Sequence, residues 1–194
     1  PRRETAFHFD DYARMMSKHF SDRVEVWMTH NEPWVAAFAG HYFGMHAPGI
    51  RDLSAAVKSI HHILLSHGLA AEAIRSEAKQ PLKVGITLNL TPVYPASNSK
   101  KDEDAARRVD TFTNRIVLDP LLKGISPLQE EKLIKPLIIG LIHPGDLETI
   151  RTLDLLGVNY YSRGVFKHSS KVPLIHVEEV QPEGNEYSGM WEVY

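Results

Sequence analysis

The chain has 194 residues, 43% hydrophobic and 24% charged, with a formal net charge of −2 and no cysteine. This is enough apolar material for one domain or a large piece of one, and the interspersed charges leave no basic stripe, which sets nucleic acid aside as a partner. Without cysteine there is no disulfide frame, thiol nucleophile or thiolate metal site, so a reducing, cytoplasmic setting is the expectation.

No apolar run approaches the ~18–20 residues that cross a bilayer, and residues 1–10 lack the basic-then-apolar build of a signal peptide, so no membrane partner is expected. Residue 1 is Pro, and the chain stops in Met190-Trp191-Glu192-Val193-Tyr194, which reads like a strand or loop under way. Both ends suggest a fragment.

Glu4 to Phe20 sets Phe7, Tyr12, Met15, Met16 and Phe20 at near-helical spacing, predicting a helix that leans on a core through them. Val24, Val26 and Met28 alternate with Glu25, Trp27 and Thr29 in a strand that ends near Asn31, because Pro33 has no N–H for a ladder. Asp52 opens a long helix through Val57, Ile60, Ile63, Leu64, Ala71 and Ile74, broken at residues 79–82. Lys83 to Leu90 is a second strand, with Ile86, Leu88 and Leu90 on one side and Thr87 and Asn89 on the other.

Pro92, Pro95 and Ser97-Asn98-Ser99 predict a loop, followed by a helix from Asp102 to Leu118 that closes before Pro120. Leu128 to Ile142 is a helical region interrupted by Pro136, and Leu153 to Tyr161 is a third strand whose apolar centre suits burial on both faces. Strands alternating with helices predict an α/β fold with a parallel sheet, either open and doubly wound or a closed barrel.

Unusual polar residues decide between those two. Asn31 and Glu32, Asn89, and Asn159 with Tyr161 each fall at the C-terminal end of a strand. That rim is where (β/α)8 enzymes gather catalytic groups from several strands. The expectation is therefore a partial (β/α)8 TIM barrel, about three central strands with their helices, with residues 1–194 as a single partial catalytic domain.

Thr29-His30-Asn31-Glu32-Pro33 is the most informative stretch. A carboxylate at a barrel mouth, beside an amide and clamped by proline, is placed for proton transfer to a polyhydroxylated substrate. Adjacent strand residues face opposite ways, so Asn31 and Glu32 can share a cleft only if the backbone bulges or turns there. The alternative for the tripeptide alone is a surface Asn-Glu-Pro turn.

Trp27-x-Thr29-x-Asn31-Glu32-Pro33-Trp34, Gly40 and His46-Ala47-Pro48-Gly49 closely resemble the family 1 glycoside hydrolases, the β-glucosidase family. The resemblance continues in order through His61 to Gly68, Val84-Gly85-Ile86, Asn89, Pro95-Ala96-Ser97, Phe112 to Pro120, Leu156-Gly157-Val158-Asn159-Tyr160-Tyr161 and the terminal Met190 to Tyr194. It implies Glu32 as general acid/base and Asn31 as holder of the 2-hydroxyl of the cleaved sugar. It further implies Tyr161 as a contact of the nucleophile, Trp34 as a stacking platform for the leaving-group sugar and Asn89 near the outer cleft. Asn159 and Tyr161 share strand parity, so both are expected to face the barrel axis while Tyr160 packs outward.

The implied substrate is a β-glucoside or short oligosaccharide, with no cofactor. A related barrel cellulase also carries Asn-Glu-Pro, but the His46-Ala47-Pro48-Gly49 and Asn159-Tyr160-Tyr161 segments argue against it. Eleven histidines invite a metal site, but His61, His62 and His67 make no i, i+4 pair, and His30-x-Glu32 lacks the cysteines of a zinc-deaminase signature. No metal is expected.

Retaining hydrolysis needs two carboxylates about 5–5.5 Å apart. Only Glu32 qualifies; Glu183 and Glu186 sit in a turn composition, and the family's Thr-Glu-Asn-Gly-like nucleophile segment is absent. The expectation is that missing barrel segments, in the same or another chain, complete the site and that these residues alone are inactive. A non-catalytic sugar-binding or split-barrel interaction protein is the reading from another class. Two departures from the family pattern stand out: His30 replaces an apolar residue, and Gly124-Ile125-Ser126-Pro127 lacks a Tyr before Pro.

Overall fold

The computed structural model describes residues 2–130, 134–172, 175–189 and 191–193. By contacts the chain divides into two compact units, residues 1–89 with 117–158, and residues 90–116 with 159–194.

The first unit begins with helix α1, Glu4–Phe20, followed by strand β1, Val26–Asn31. The helix has its expected bounds but not its expected face. Phe7, Tyr12, Met15 and Phe20 are exposed, and Ala6, Ala13 and Ser17 are the buried residues. The reason is the neighbour: α1 lies against helix α2, Leu53–Ser76, at a seam of Ala13, Ala70, Ala71 and Ala73, where small side chains let the backbones approach. Ser17 closes the seam by donating to the Ile74 carbonyl at 2.8 Å. Phe9 and Trp27 pack against the edge of the same cluster.

Asp52 caps α2, its side chain accepting from the amides of Ser54 (2.7 Å) and Ala55 (3.3 Å), as a helix start requires. Strand β2, Lys83–Asn89, pairs parallel to β1, and strand β4, Leu155–Asn159, lies on its other side, giving the order β1-β2-β4. Val84, Ile86 and Leu88 are fully buried. Gly85, Thr87 and Asn89 alternate with them, and Gly157 of β4 lies against Thr87 on that second face. β4 is not buried on both faces as its composition suggested. It is an edge of this sheet and Val158 is 54% exposed; at the β1 edge Val26 is 55% exposed.

Helix α5, Asp146–Ile150, packs on α2 where Gly68 meets Thr149. A buried ion-pair group ties three segments there. The Asp146 carboxylate takes both Arg3 guanidinium N–H groups, one at 2.8 Å, His61 Nε2 at 2.8 Å and the His143 amide at 2.9 Å. Burial by itself would raise the Asp146 pKa, but these donors outweigh it and hold the carboxyl far below its usual range.

The second unit contains strand β3, Val93–Pro95, parallel to strand β5, Gly164–His168, which pairs antiparallel with strand β6, Val177–Glu179. The stretch expected as a plain loop therefore holds a short strand. Helix α3, Lys100–Asp110, is capped by Ser99. It runs into a π-helical turn, Thr111–Arg115, and then helix α4, Ile116–Lys123, which contains Pro120. The helix does not close before Pro120 as expected. The wide turn just upstream has already shifted the hydrogen-bond ladder, and that is where a missing N–H is tolerated.

The expected helix at Leu128 to Ile142 is instead two 3₁₀ turns, Pro127–Gln129 and Lys135–Ile138, with residues 131–133 outside the described set. Each turn has a proline in its first positions, which suits a short start and not a long ladder. In the second unit a hairpin of two-residue strands, β7 (Tyr187–Ser188) and β8 (Trp191–Glu192), follows β6, and Arg163 grips Glu192 through two bonds of 2.8 and 2.9 Å. Met190 and Tyr194 of the terminal motif lie outside the described residues.

A Cβ at Gly68 would strike the Thr149 carbonyl inside van der Waals contact, against backbone that cannot swing aside. Gly68→Ala should therefore destabilise the protein by about 3 kcal/mol, as overpacking does. The comparison of urea midpoints between wild type and variant checks this, and an unchanged midpoint would mean that α5 is not seated on α2.

Candidate active site

The end of β1 is irregular in a way that matters for Glu32. Met28 pairs with Gly85 and Asn31 with Thr87, so three steps along β1 match two along β2. One extra residue is accommodated between them, a β-bulge. Thr29 and His30 occupy it, and both side chains reach α2. Thr29 Oγ1 lies 2.7 Å from His67 Nδ1, and His30 Nε2 lies 2.8 Å from Ser66 Oγ. Neighbours on a regular strand would face opposite sides.

The bulge leaves Asn31 beside Thr87, and Glu32 follows in the left-handed region with φ 51°. That conformation is uncommon for a non-glycine residue and is held at both ends of the residue. The Glu32 amide donates to the Thr87 carbonyl at 2.8 Å, and the Glu32 carbonyl accepts from Ala36 at 3.2 Å, starting the π-helical turn Val35–Ala39. Pro33 between them is fully buried. The bulge or turn that the sequence demanded at Asn31-Glu32 is thus present as both.

Trp34 is half-buried, its ring stacked on Phe38 with centroids 5.3 Å apart and a 20° interplanar angle. Asn89 is half-buried at the end of β2, two residues beyond Thr87 on the same face. Thr87 was not singled out by sequence, although its carbonyl anchors Glu32 and its side chain lies on the Asn89 face. The signal available was its alternation with Ile86 and Leu88. Asn31, Glu32, Trp34 and Asn89 all belong to the first unit.

Asn159 and Tyr161 belong to the second unit. β4 stops at Asn159, so the strand parity expected to relate the two does not extend to Tyr161. The Asn159 carbonyl accepts from Leu90 at 3.1 Å. Tyr161 stacks on Trp191 with centroids 5.2 Å apart, and Tyr160, expected to pack outward against helices, is 47% exposed. Two depressions in the first unit, of about 250 and 470 Å³, are lined by neither Glu32, Asn31 nor Asn89. Among the described residues no three His, Cys, Asp or Glu side chains converge as a metal site would require, and no helix is long and apolar enough to cross a membrane.

A profile of glycosyl hydrolase family 1 matches residues 2–193. The chain belongs to that family. It is 40% identical over 168 residues to beta-glucosidase A of Acetivibrio thermocellus, covering 86% of this chain and 37% of the relative. It is 40% identical over 181 residues to the 6-phospho-beta-glucosidase GmuD of Bacillus subtilis, covering 88% and 37%. The crystal structure of a beta-glucosidase from Exiguobacterium marinum superposes with a TM-score of 0.92 at 39% identity, over all of this chain and 44% of that one. The family 1 chain thus spans a little over a third of the curated relatives it matches, and its parallel strands and helices are part of a (β/α)8 barrel.

Burial pushes His30 and His67 of this family 1 chain down to about 4 from the ordinary 6.5; at His30 the nearby His67 adds to the effect, and at His67 the Thr152 carbonyl opposes it. Both rings are neutral at pH 7. The unfolded chain takes up these protons near pH 6.5 and the folded chain only near pH 4. The stability that these two rings contribute is therefore complete above about pH 6.5 and falls as pH drops from there toward 4, by up to about 1.4 kcal/mol per pH unit for each ring. Urea midpoints measured from pH 7.5 to 4 should fall less steeply for His67→Gln than for wild type; identical slopes would mean that His67 is protonated without cost in the fold.

Proposed function

We propose that this chain carries the acid/base portion of a retaining β-glycosidase, most specifically a β-glucosidase acting on terminal β-D-glucosyl residues, within a single partial catalytic domain spanning residues 1–194. The observation that supports it best is Glu32. It directly follows a barrel strand in a conformation held by Thr87 and Ala36, beside Asn31, and the Asn31-Glu32-Pro33 segment resembles the one that carries the acid/base in the family. The Glu32 carboxylic acid protonates the glycosidic oxygen as the carbon–oxygen bond breaks and a second carboxylate attacks the anomeric carbon. Glu32, now a carboxylate, takes a proton from the water that cleaves the glycosyl-enzyme, releasing sugar and the second carboxylate.

That nucleophile is assigned to sequence beyond these 194 residues, in barrel segments of the same or another chain. Asn31 is the proposed partner of the sugar 2-hydroxyl, Trp34 the leaving-group platform, Asn89 an outer-cleft contact, Asn159 at the end of the third strand a substrate ligand, and Tyr161 just beyond it a substrate-side contact of the nucleophile. No cofactor takes part in this scheme, and the cysteine-free composition supports a cytoplasmic setting.

The glycone is β-D-glucose, its 6-phosphate or the 6-deoxy sugar D-fucose. Relatives are named for β-glucosidase, 6-phospho-β-glucosidase and bifunctional β-glucosidase/β-fucosidase activities. A panel of cellobiose, a 6-phospho-β-glucoside, a β-fucoside and long glucans separates these, with preference for long glucans favouring a cellulase.

In the complete protein, Glu32→Ala should lower turnover of an alkyl β-glucoside or cellobiose by at least about 100-fold. A loss below tenfold removes the acid/base assignment. A second reading, a non-catalytic sugar-binding or interaction protein, is favoured by the single qualifying carboxylate. Intact-mass measurement of purified material separates the two: a mass well above 21.9 kDa supports the enzyme, whereas a matching mass with no partner chain and no activity supports the binding reading.

A further inference from the structure

His30 lies in the β-bulge two residues before Glu32, and the bulge makes its side chain answerable for the residue after it. A strand shifted by one position sends every following side chain to the opposite face. With Thr29 and His30 both turned to α2, Asn31 lies opposite Thr87; without the extra residue, His30 would take the cleft side and Asn31 the helix side.

The carbonyl partners in this arrangement set the directions of its hydrogen bonds. Ser66 Oγ spends its only proton on the Ile63 carbonyl at 2.8 Å, so it can only accept from His30, whose Nε2 must carry the hydrogen. His67 Nε2 faces the Thr152 carbonyl at 2.8 Å and donates to it, so in the neutral ring Nδ1 accepts from the Thr29 hydroxyl at 2.7 Å, which is shorter than that hydroxyl's 3.3 Å contact to the Gly85 carbonyl. Phe9 of α1 stacks on the His30 ring, centroids 4.4 Å apart at 27°, closing its other side. His30 is thus seated between two helices by one oriented bond and one ring contact.

We propose that His30 and Ser66 form a matched positioning pair for Glu32, setting the bulge from which the acid/base carboxyl is delivered. This rests on the acid/base reading of Glu32. Neither residue touches the reacting atoms; they act through the backbone of residues 29–32. An apolar side chain needs no acceptor from α2, whereas a buried imidazole N–H does, and leaving it unmade costs more than replacing both partners.

The test is a double-mutant cycle in the complete protein. Ser66→Ala strands the His30 N–H and should lower kcat/KM for an alkyl β-glucoside by about tenfold, because a small misplacement of the acid is costly. A dinitrophenyl β-glucoside, whose leaving group needs no acid, should stay within about twofold in kcat/KM. Adding His30→Leu to Ser66→Ala should restore the alkyl substrate to within about threefold of wild type, a non-additive recovery.

An equal loss on both substrates, no loss on either, or no recovery in the double variant would overturn the pairing. Amide exchange reads the geometry without reference to activity. The Glu32 amide, bonded to Thr87, should exchange about tenfold faster in Ser66→Ala and return in the double variant, while the Lys83 amide on Glu25 is unchanged. Unchanged Glu32 exchange would also refute the proposal. If Glu32→Ala fails to discriminate the two substrates, the glycosidase reading falls, and the exchange measurement still decides whether His30 and Ser66 hold the bulge.

Discussion

The extra residue in β1 is the constraint on which the rest of the site depends. A parallel pair with no insertion would alternate cleanly, placing His30 in the cleft and Asn31 under the helices. Matching Met28–Asn31 to Gly85–Thr87 instead turns two consecutive side chains toward α2 and leaves the next to the opposite face. The β1–β2 ladder then ends with the Glu32 amide on Thr87, and the positive φ at Glu32 redirects the chain into the turn at Val35–Ala39. A bulge next to a reactive residue costs pairing and gains the freedom to aim a side chain.

What holds the bulge is the helix layer behind it. The alanine seam between α1 and α2 brings the helix backbones close, and that proximity is what places Ser66, His67 and Phe9 within reach of β1. At the α5 side of α2, Arg3, His61 and the His143 amide converge on Asp146, so that one carboxylate joins the start of α1, the middle of α2 and the start of α5. A buried carboxylate is tolerable only with that many donors, and removing one partner would leave charge without compensation. Polar bonds therefore fix the register of a layer whose apolar contacts are small.

The sheet that results has three strands and two edges, with apolar side chains exposed at both. Open parallel edges of this kind call for further strands. The chain spans a little over a third of the curated relatives it matches. In a (β/α)8 barrel the chemistry comes from several strand ends at one rim, and the segment just past β1 that carries Glu32 lies at one such end.

Much of this was legible in the order of residues. The bounds of α1 and β2, the Asp52 cap, the placement of Asn31, Glu32 and Asn89 at strand ends and the need for a backbone break at Asn31-Glu32 all follow from period, capping chemistry and strand parity. The family follows from motifs strung in sequence, which folding does not alter. Tertiary structure decided which face of α1 is buried, because two helices choose small residues for close approach and the aromatic stripe of α1 says nothing about its neighbour. It decided that Pro120 lies inside a helix and that Leu128 to Ile142 breaks into short turns, because ladder register is set by what precedes a proline. It also decided where the bulge falls. Alternation counts residues along one strand, whereas a bulge is a mismatch between two, and only the paired strand and the side chains of α2 specify which residue is the extra one.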